Sequence, residues 1–263
     1  MEIFIPKDCA RRLLQDVKQL MKNPLHEHGI YYKHDEENFL RGYALIVGGE
    51  DTPYFGGYYF FIFHFSSKYP YEPPKVDYCT NDGRTRFNPN LYTNKKTCLS
   101  VLNTWKGEQW SSCQTISTIL LSLSTVLCAN PILNEPHVTQ SHRDFENYNS
   151  VIEYKNIEIA VCEIIFKNPN IYYDFFNFFE DIILEHFNKN VDKLIKFCQE
   201  KEQFEKVIHV SIYHMSTKIN YKKLVKTLQE CREKSALTET YQSITVHCEA
   251  QSAFKNPSSD SES

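Results

Sequence analysis

The chain has 263 residues, 41% of them hydrophobic, and 29 Lys plus Arg against 33 Asp plus Glu leave a formal charge of -4. This length accommodates one domain of about 150 residues with a substantial addition, and the near balance of charge gives no reason to expect nucleic acid or an anionic membrane as a partner. A protein partner fits better. Nine cysteines, at 9, 79, 98, 113, 128, 162, 198, 231 and 248, form no Cys-x-x-Cys pair, and their number is odd. That pattern argues against a disulfide framework and a zinc site of the usual spacing, and for reduced thiols inside a cell. Met1 to Pro6 lacks a basic stretch leading into an apolar one, and no run of about 18 apolar residues occurs. The expected location is the cytoplasm, with nuclear access left open, and no metal or other cofactor is expected.

In chain order, Cys9, Leu13, Leu14, Val17, Leu20 and Met21 recur at helical spacing until Asn23-Pro24 stops them, with Arg11, Arg12, Lys18 and Lys22 on other faces. Extended segments are predicted near 29-34, 39-47, 57-65 and 74-79, divided by turn-forming residues at Asp35 to Asn38, Gly48 to Gly57 and Tyr69-Pro70. Short strands with short turns make an antiparallel meander. In the third, Tyr59, Phe61, Phe63 and Phe65 alternate with Tyr58, Phe60, Ile62 and His64, so one face is aromatic and suited to packing on helices. His64 falls on the other face as a half-exposed sheet residue.

Residues 81-113 read as a long irregular loop, a feature that compact domains reserve for function, and this one carries Cys98. A buried helix follows, capped by Thr115, built on Ile116, Ile119, Leu120, Leu123, Val126 and Leu127, and stopped by Asn130-Pro131. Another is predicted from about Asp144 to Phe166. Beyond Asn168-Pro169, the aromatic stripe from Tyr172 to Phe179 has to be buried against the preceding domain. Helical patterns continue near 174-206 and 220-234 around an extended piece near 206-214. The Ser, Asp and Glu of the end have the composition of a disordered acidic tail.

A Cys paired with a His would suggest a cysteine hydrolase, but the Cys98 segment lacks the Cys-Gly-Ser/Ala-Cys-Trp/Tyr form and no His motif points to a partner. Its surroundings suit a carrier thiol better, and a purely structural cysteine stays open on these residues alone.

Phe87 to Leu102, with Cys98 eight positions after Asn90, stands in register with Thr52-Pro53-Tyr54-Phe55-Gly56-Gly57 and Tyr69-Pro70-Tyr71-Glu72-Pro73-Pro74-Lys75-Val76 upstream, and with Trp110-Ser111 downstream. Together these motifs resemble ubiquitin-conjugating enzymes over roughly residues 7-165. The resemblance implies an α+β domain over 1-167, a four-stranded antiparallel meander sheet packed by helices. A mainly helical carboxyl-terminal extension would follow over 168-245 and the tail over 246-263. It also implies that Cys98 takes ubiquitin or a ubiquitin-like modifier from an activating enzyme as a thioester and passes it to a lysine of a protein substrate or to a ligase cysteine. Asn90 matches the family's functional Asn, which meets the oxyanion or braces the loop. Glu135, in Asn134-Glu135-Pro136, matches the acid that lies near the incoming lysine; its plainer reading is a solvated loop residue. Arg11 and Arg12 would meet the activating enzyme, and Tyr71, Ser112 and Cys113 would meet ligases.

Two departures stand out. Asn88-Pro89-Asn90 replaces the usual His-Pro-Asn, so Asn88 has to supply a different hydrogen-bond pattern, and Ser111-Ser112-Cys113 stands where Ser-Pro-Ala is common. Asn88 and the run from Leu99 to Trp110 point, within the family, to the Z-type enzymes and the conjugating domain of the giant BIR-repeat inhibitor of apoptosis. An inactive variant that binds modifier or ligase without chemistry is the rival reading, and the presence of Cys98 counts against it.

Overall fold

The computed structural model of the chain describes residues 4–254. Helix α1 (Lys7–Lys22) buries Cys9, Leu13, Asp16 and Leu20, whereas Leu14 and Met21 are exposed at 46% and 76%. The helix is where the pattern put it, but the buried stripe differs because Asp16 occupies a place that the periodicity gave to apolar side chains. Its carboxylate is paired inside with the Arg12 guanidinium, 2.9 Å away, and with the Tyr69 hydroxyl, which meets the requirement that a buried charge be partnered.

Strands β1 (Ile30–His34), β2 (Arg41–Val47), β3 (Tyr58–His64) and β4 (Lys75–Tyr78) pair antiparallel in the order β1-β2-β3-β4. The expected meander is present, with each strand within about two residues of its predicted bounds. On one face of β3, Tyr59 donates to Asn156 Oδ1 at 2.6 Å, and Phe61 and Phe63 are fully buried. Neither face of its first half is left to solvent. Phe60 stacks on Phe176 with ring centroids 3.6 Å apart, Tyr43 stacks on Phe175 at 4.7 Å, and the Tyr58 hydroxyl donates to the Ile183 carbonyl at 2.9 Å. A sheet covered on both faces reads as a continuous apolar run, as Tyr58 to Phe63 does. His64 is half-buried beside Asp77, at 3.2 Å.

Helix α2 (Ile116–Val126) opens on the expected Thr115 cap, whose hydroxyl accepts from the Thr118 N–H. Helix α3 (Phe145–Lys155) runs on as a π-helical stretch, Asn156–Glu163. Asn156 is why this stretch lies close to the sheet: its Nδ2 donates to the Phe55 carbonyl at 2.8 Å, and a Cβ at position 57 would come within 1.9 Å of its Oδ1, so Gly57 is needed for the approach.

The extension begins with the stripe, a 3-10 turn at Asp174–Phe179 that leads into α4 (Glu180–Glu200). An antiparallel hairpin follows, β5 (Glu205–Val210) and β6 (Met215–Asn220), before α5 (Tyr221–Phe254). The helix expected through 206 is therefore a 3-10 turn, a helix and the start of a strand. The extended piece near 206-214 is one arm of a hairpin whose other arm was unforeseen. Helix α5 crosses the expected 245/246 boundary through Phe254, and the rest of the expected tail lies outside the described residues. Among the described residues no helix is long and apolar enough to cross a membrane.

Candidate active site

Between β4 and α2 the chain makes almost no regular structure, apart from a 3-10 turn at Ser100–Leu102. It is held instead by single backbone links: Tyr78 N–H to the Lys95 carbonyl at 2.8 Å, and isolated bridges joining Asp77 to Lys96, Asn88 to Leu91 and Leu91 to Thr97. Asn90 and Cys98 face each other across this loop. The Cys98 N–H donates to the Asn90 carbonyl at 2.9 Å, and Asn90 Nδ2 donates back to the Cys98 carbonyl at 2.7 Å. One amide proton of Asn90 is thereby used as a brace, and its buried Oδ1 has no partner. Cys98 itself is 2% exposed, so its side chain is covered in this conformation.

The expectation that Asn88 supplies a new hydrogen-bond pattern is met in full. Its Nδ2 donates to the Tyr54 hydroxyl at 2.9 Å and to the Val126 carbonyl at 2.6 Å, while its Oδ1 accepts the Asn90 N–H at 2.9 Å. Tyr54 in turn donates to the Phe87 carbonyl at 2.7 Å. A primary amide has two donors and an acceptor on one planar group, which a neutral imidazole lacks. Asn88 thus ties the loop to the connection between β2 and β3 through Tyr54, to the end of α2 and to Asn90.

Residues that the sequence did not single out complete the loop. Thr104 donates to the Thr97 carbonyl at 3.0 Å and accepts the Leu99 N–H at 2.9 Å, bracketing Cys98 on both sides. Arg86 donates to the carbonyls of Asn88 and Pro89 at 3.1 and 2.7 Å, and its guanidinium lies 3.3 Å from the centroid of the Tyr92 ring. A Thr in a loop and an Arg before a turn are common, so nothing in their spacing marks them out.

Glu135 follows the 3-10 turn Pro131–Asn134 and is half-buried. It is not simply solvated, because the Tyr213 hydroxyl from the β5-β6 connection donates to its Oε2 at 2.6 Å. Burial, and secondarily this contact, raise the Tyr213 pKa well above the phenol range, so the group remains a donor.

The expected partner-binding residues divide. Arg11 is exposed, as are Ser112, Cys113 and Tyr71, the last at 76%. Arg12 is turned inward: beyond Asp16 it donates to the carbonyls of Ser112 and Gln114. It therefore braces α1 against the 112-113 loop and is not a free cation. Trp110 anchors the same neighbourhood, donating from Nε1 to the Pro70 carbonyl at 2.7 Å. Among the other thiols, burial pushes Cys79 and Cys198 up to about 12, which leaves them protonated and inert at neutral pH. Among the described residues no group of three or more His, Cys, Asp or Glu could hold a metal ion.

The family model described as ubiquitin-conjugating enzyme matches residues 12–159. The protein named ubiquitin-conjugating enzyme E2 Z from Xenopus tropicalis is 39% identical over 160 residues, which cover 60% of this chain and 50% of that protein. The protein of the same name from Homo sapiens is 39% identical over 160 residues, covering 60% of this chain and 45% of that protein. The Homo sapiens protein named dual E2 ubiquitin-conjugating enzyme/E3 ubiquitin-protein ligase BIRC6 is 36% identical over 209 residues, covering 73% of this chain and 4% of that protein. The chain thus spans about half the length of the first curated relatives it matches. These are the relatives to which Asn88 and the Leu99 to Trp110 run pointed.

Proposed function

The chain belongs to the ubiquitin-conjugating enzyme family, and from that premise we propose that Cys98 carries ubiquitin or a ubiquitin-like modifier. The Cys98 thiolate attacks the thioester carbonyl offered by an activating enzyme, whose own thiolate leaves. A lysine amine or a ligase thiolate then attacks the Cys98 thioester, and the Cys98 thiolate is the leaving group.

The reciprocal pairing of Asn90 with Cys98 is the observation that carries this reading. It fixes the backbone on which the thioester carbonyl would sit, and the amide keeps a second proton for the oxyanion that develops during attack. Glu135 would meet the incoming lysine. A lysine amine with an ordinary pKa of about 10.4 is almost wholly charged at neutral pH, so the carboxylate favours its approach while desolvation at the site assists loss of the proton. Arg11 on α1 is offered to the activating enzyme, and Tyr71 with Ser112 and Cys113 to ligases; an exposed aromatic held by a braced loop suits such an anchor. A cytoplasmic place with nuclear access fits these partners.

The test is a mass measurement after incubation with activating enzyme, ATP and each of a panel of modifiers. A reducible adduct that vanishes in Cys98→Ala and becomes a reductant-stable oxyester in Cys98→Ser supports the proposal. An adduct that persists in Cys98→Ala moves the site to another thiol. No adduct with any modifier leaves the binding-only reading in its place.

A further inference from the structure

Tyr213 and Glu135 lie 78 positions apart in sequence, one in the extension and the other in the conjugating domain, yet a 2.6 Å hydrogen bond joins them. We propose that Tyr213 is a positioning residue for Glu135, so that the extension completes the acyl-transfer site. The inference rests on the reading of Glu135 as the group that meets the incoming lysine.

The contact is built from both sides. The connection between β5 and β6 is a 3-10 turn, Ser211–Tyr213, closed by His214 in the left-handed region at φ 52°. It is tied down next to Tyr213, where the Ile212 N–H donates to buried Asp144 at 2.9 Å, and again where Asn147 Nδ2 donates to the His209 carbonyl at 3.1 Å. The Tyr213 ring lies 5.5 Å from that of Tyr148, whose hydroxyl donates to the Arg86 carbonyl at 2.8 Å. The Arg86 guanidinium lies 3.3 Å from the Tyr92 ring centroid and 5.4 Å from that of Tyr213. The same guanidinium holds the carbonyls of Asn88 and Pro89, next to Asn90. One chain of contacts therefore joins the hairpin, the acid and the loop that carries Asn90 and Cys98.

The chemistry suits positioning. A glutamate side chain has several rotamers, and on a short connection it has little to select among them. A phenol that stays protonated donates to Oε2 at all working pH values, fixes the orientation of the carboxyl group, and leaves Oε1 for a cationic amine. Orientation of this kind affects reaction with the lysine, and it leaves the exchange of thioester from the activating enzyme largely alone.

The test uses the full chain. Tyr213→Phe keeps the ring beside Arg86 and removes the hydroxyl alone. After charging and quenching of the activating enzyme, single-turnover discharge is followed across lysine concentrations, with Glu135→Gln and the double variant in parallel. Tyr213→Phe is expected to slow discharge about 3- to 10-fold, chiefly as a higher lysine concentration for half-maximal rate, with charging unchanged. In the Glu135→Gln background it should change discharge less than about 2-fold, because its effect passes through the carboxylate. Discharge of Tyr213→Phe at the parental rate, or an equal loss in both backgrounds, overturns the inference alone. A parent that forms no adduct refutes the reading beneath it, and a Glu135→Gln variant that discharges at full rate refutes Glu135's role; the inference falls with either.

Discussion

Asn88 Oδ1 accepts the backbone N–H of Asn90 at 2.9 Å, so the residue that replaces the family's usual His holds the residue that holds Cys98. Because Asn88 is fully buried, truncation would strand the Asn90 N–H, whereas the Val126 carbonyl would keep its bond from Asn134 Nδ2 at 3.1 Å. Asn88→Ala is expected to cost about 1–3 kcal/mol in denaturant unfolding, the scale of one buried group left unpaired. Asn88→His keeps one donor and one acceptor in its neutral form and should lose less. An alanine variant as stable as the parent would show that the pairing contributes nothing net.

The brace that Asn90 makes and the oxyanion role proposed for it can be separated by kinetics. As a brace, through its bond to the Cys98 carbonyl, it would affect charging and discharge together. As an oxyanion donor during lysine attack, it would affect discharge. Asn90→Ala is expected to slow discharge at least about tenfold with a smaller loss in charging. Equal losses in both steps would leave the brace as its whole contribution.

Two half-buried imidazoles are expected to make stability fall with acid. Desolvation lowers the pKa of His34, opposed by its bond to the Phe39 carbonyl and by Asp35, and desolvation likewise lowers that of His186, opposed by Glu185 and reinforced by Lys189. A depressed pKa means that the unfolded chain takes up protons first as pH falls below about 6.5, so the stability present above that value is lost progressively toward the folded-state pKa values. The carboxyl of Asp35 is also held low, by Tyr43, the Asn38 and Glu37 amides and Arg41 against its own desolvation; its contribution is lost only near and below pH 4. Thermal midpoints should therefore drop between pH 7 and 5.5, and His186→Gln, which retains a polar partner for the Tyr31 hydroxyl at 2.8 Å in the parent, should flatten that drop. An unchanged slope in the variant would assign the effect to His34 alone.

Much of the conjugating domain was legible because its signals are local. Period-two aromatics gave β3, Thr115 and Asn130-Pro131 bounded α2, and the Asn90 to Cys98 spacing located the loop. What sequence could not reveal depended on pairing across long distances. Asp16 is buried only because Arg12 and Tyr69 meet it, and that inward use of Arg12 is invisible on a helical projection. The alternation of buried Met215, Thr217 and Ile219 in β6 was present in the chain, but a polar Thr at the centre of so short a run hid it. Tyr213 carries no local mark at all, since the contact that singles it out is with Glu135, 78 positions away in the conjugating domain.

The extension's dependence on the sheet leads to the last prediction. The aromatic stripe docks on the domain as expected, and the hairpin that follows it returns to Glu135. Deleting residues 170-263 would uncover Tyr43, Tyr58 and Phe60, a contiguous aromatic surface that favours aggregation. It would also remove Tyr213, so a folded remnant should lose rate in discharge as well as in charging. A finer probe avoids the truncation. Phe176 is fully buried and stacked on Phe60, whereas Phe178 is 49% exposed with Lys33 Nζ 4.8 Å from its centroid. Phe176→Ala should cost about 3–5 kcal/mol, and Phe178→Ala less than about 1 kcal/mol, the scale of an exposed cation–π contact. If urea unfolding shows the two variants losing equal stability, the stripe does not anchor the extension through Phe176, and the coupling of hairpin to acid must be sustained by the Asp144 and Asn147 contacts instead.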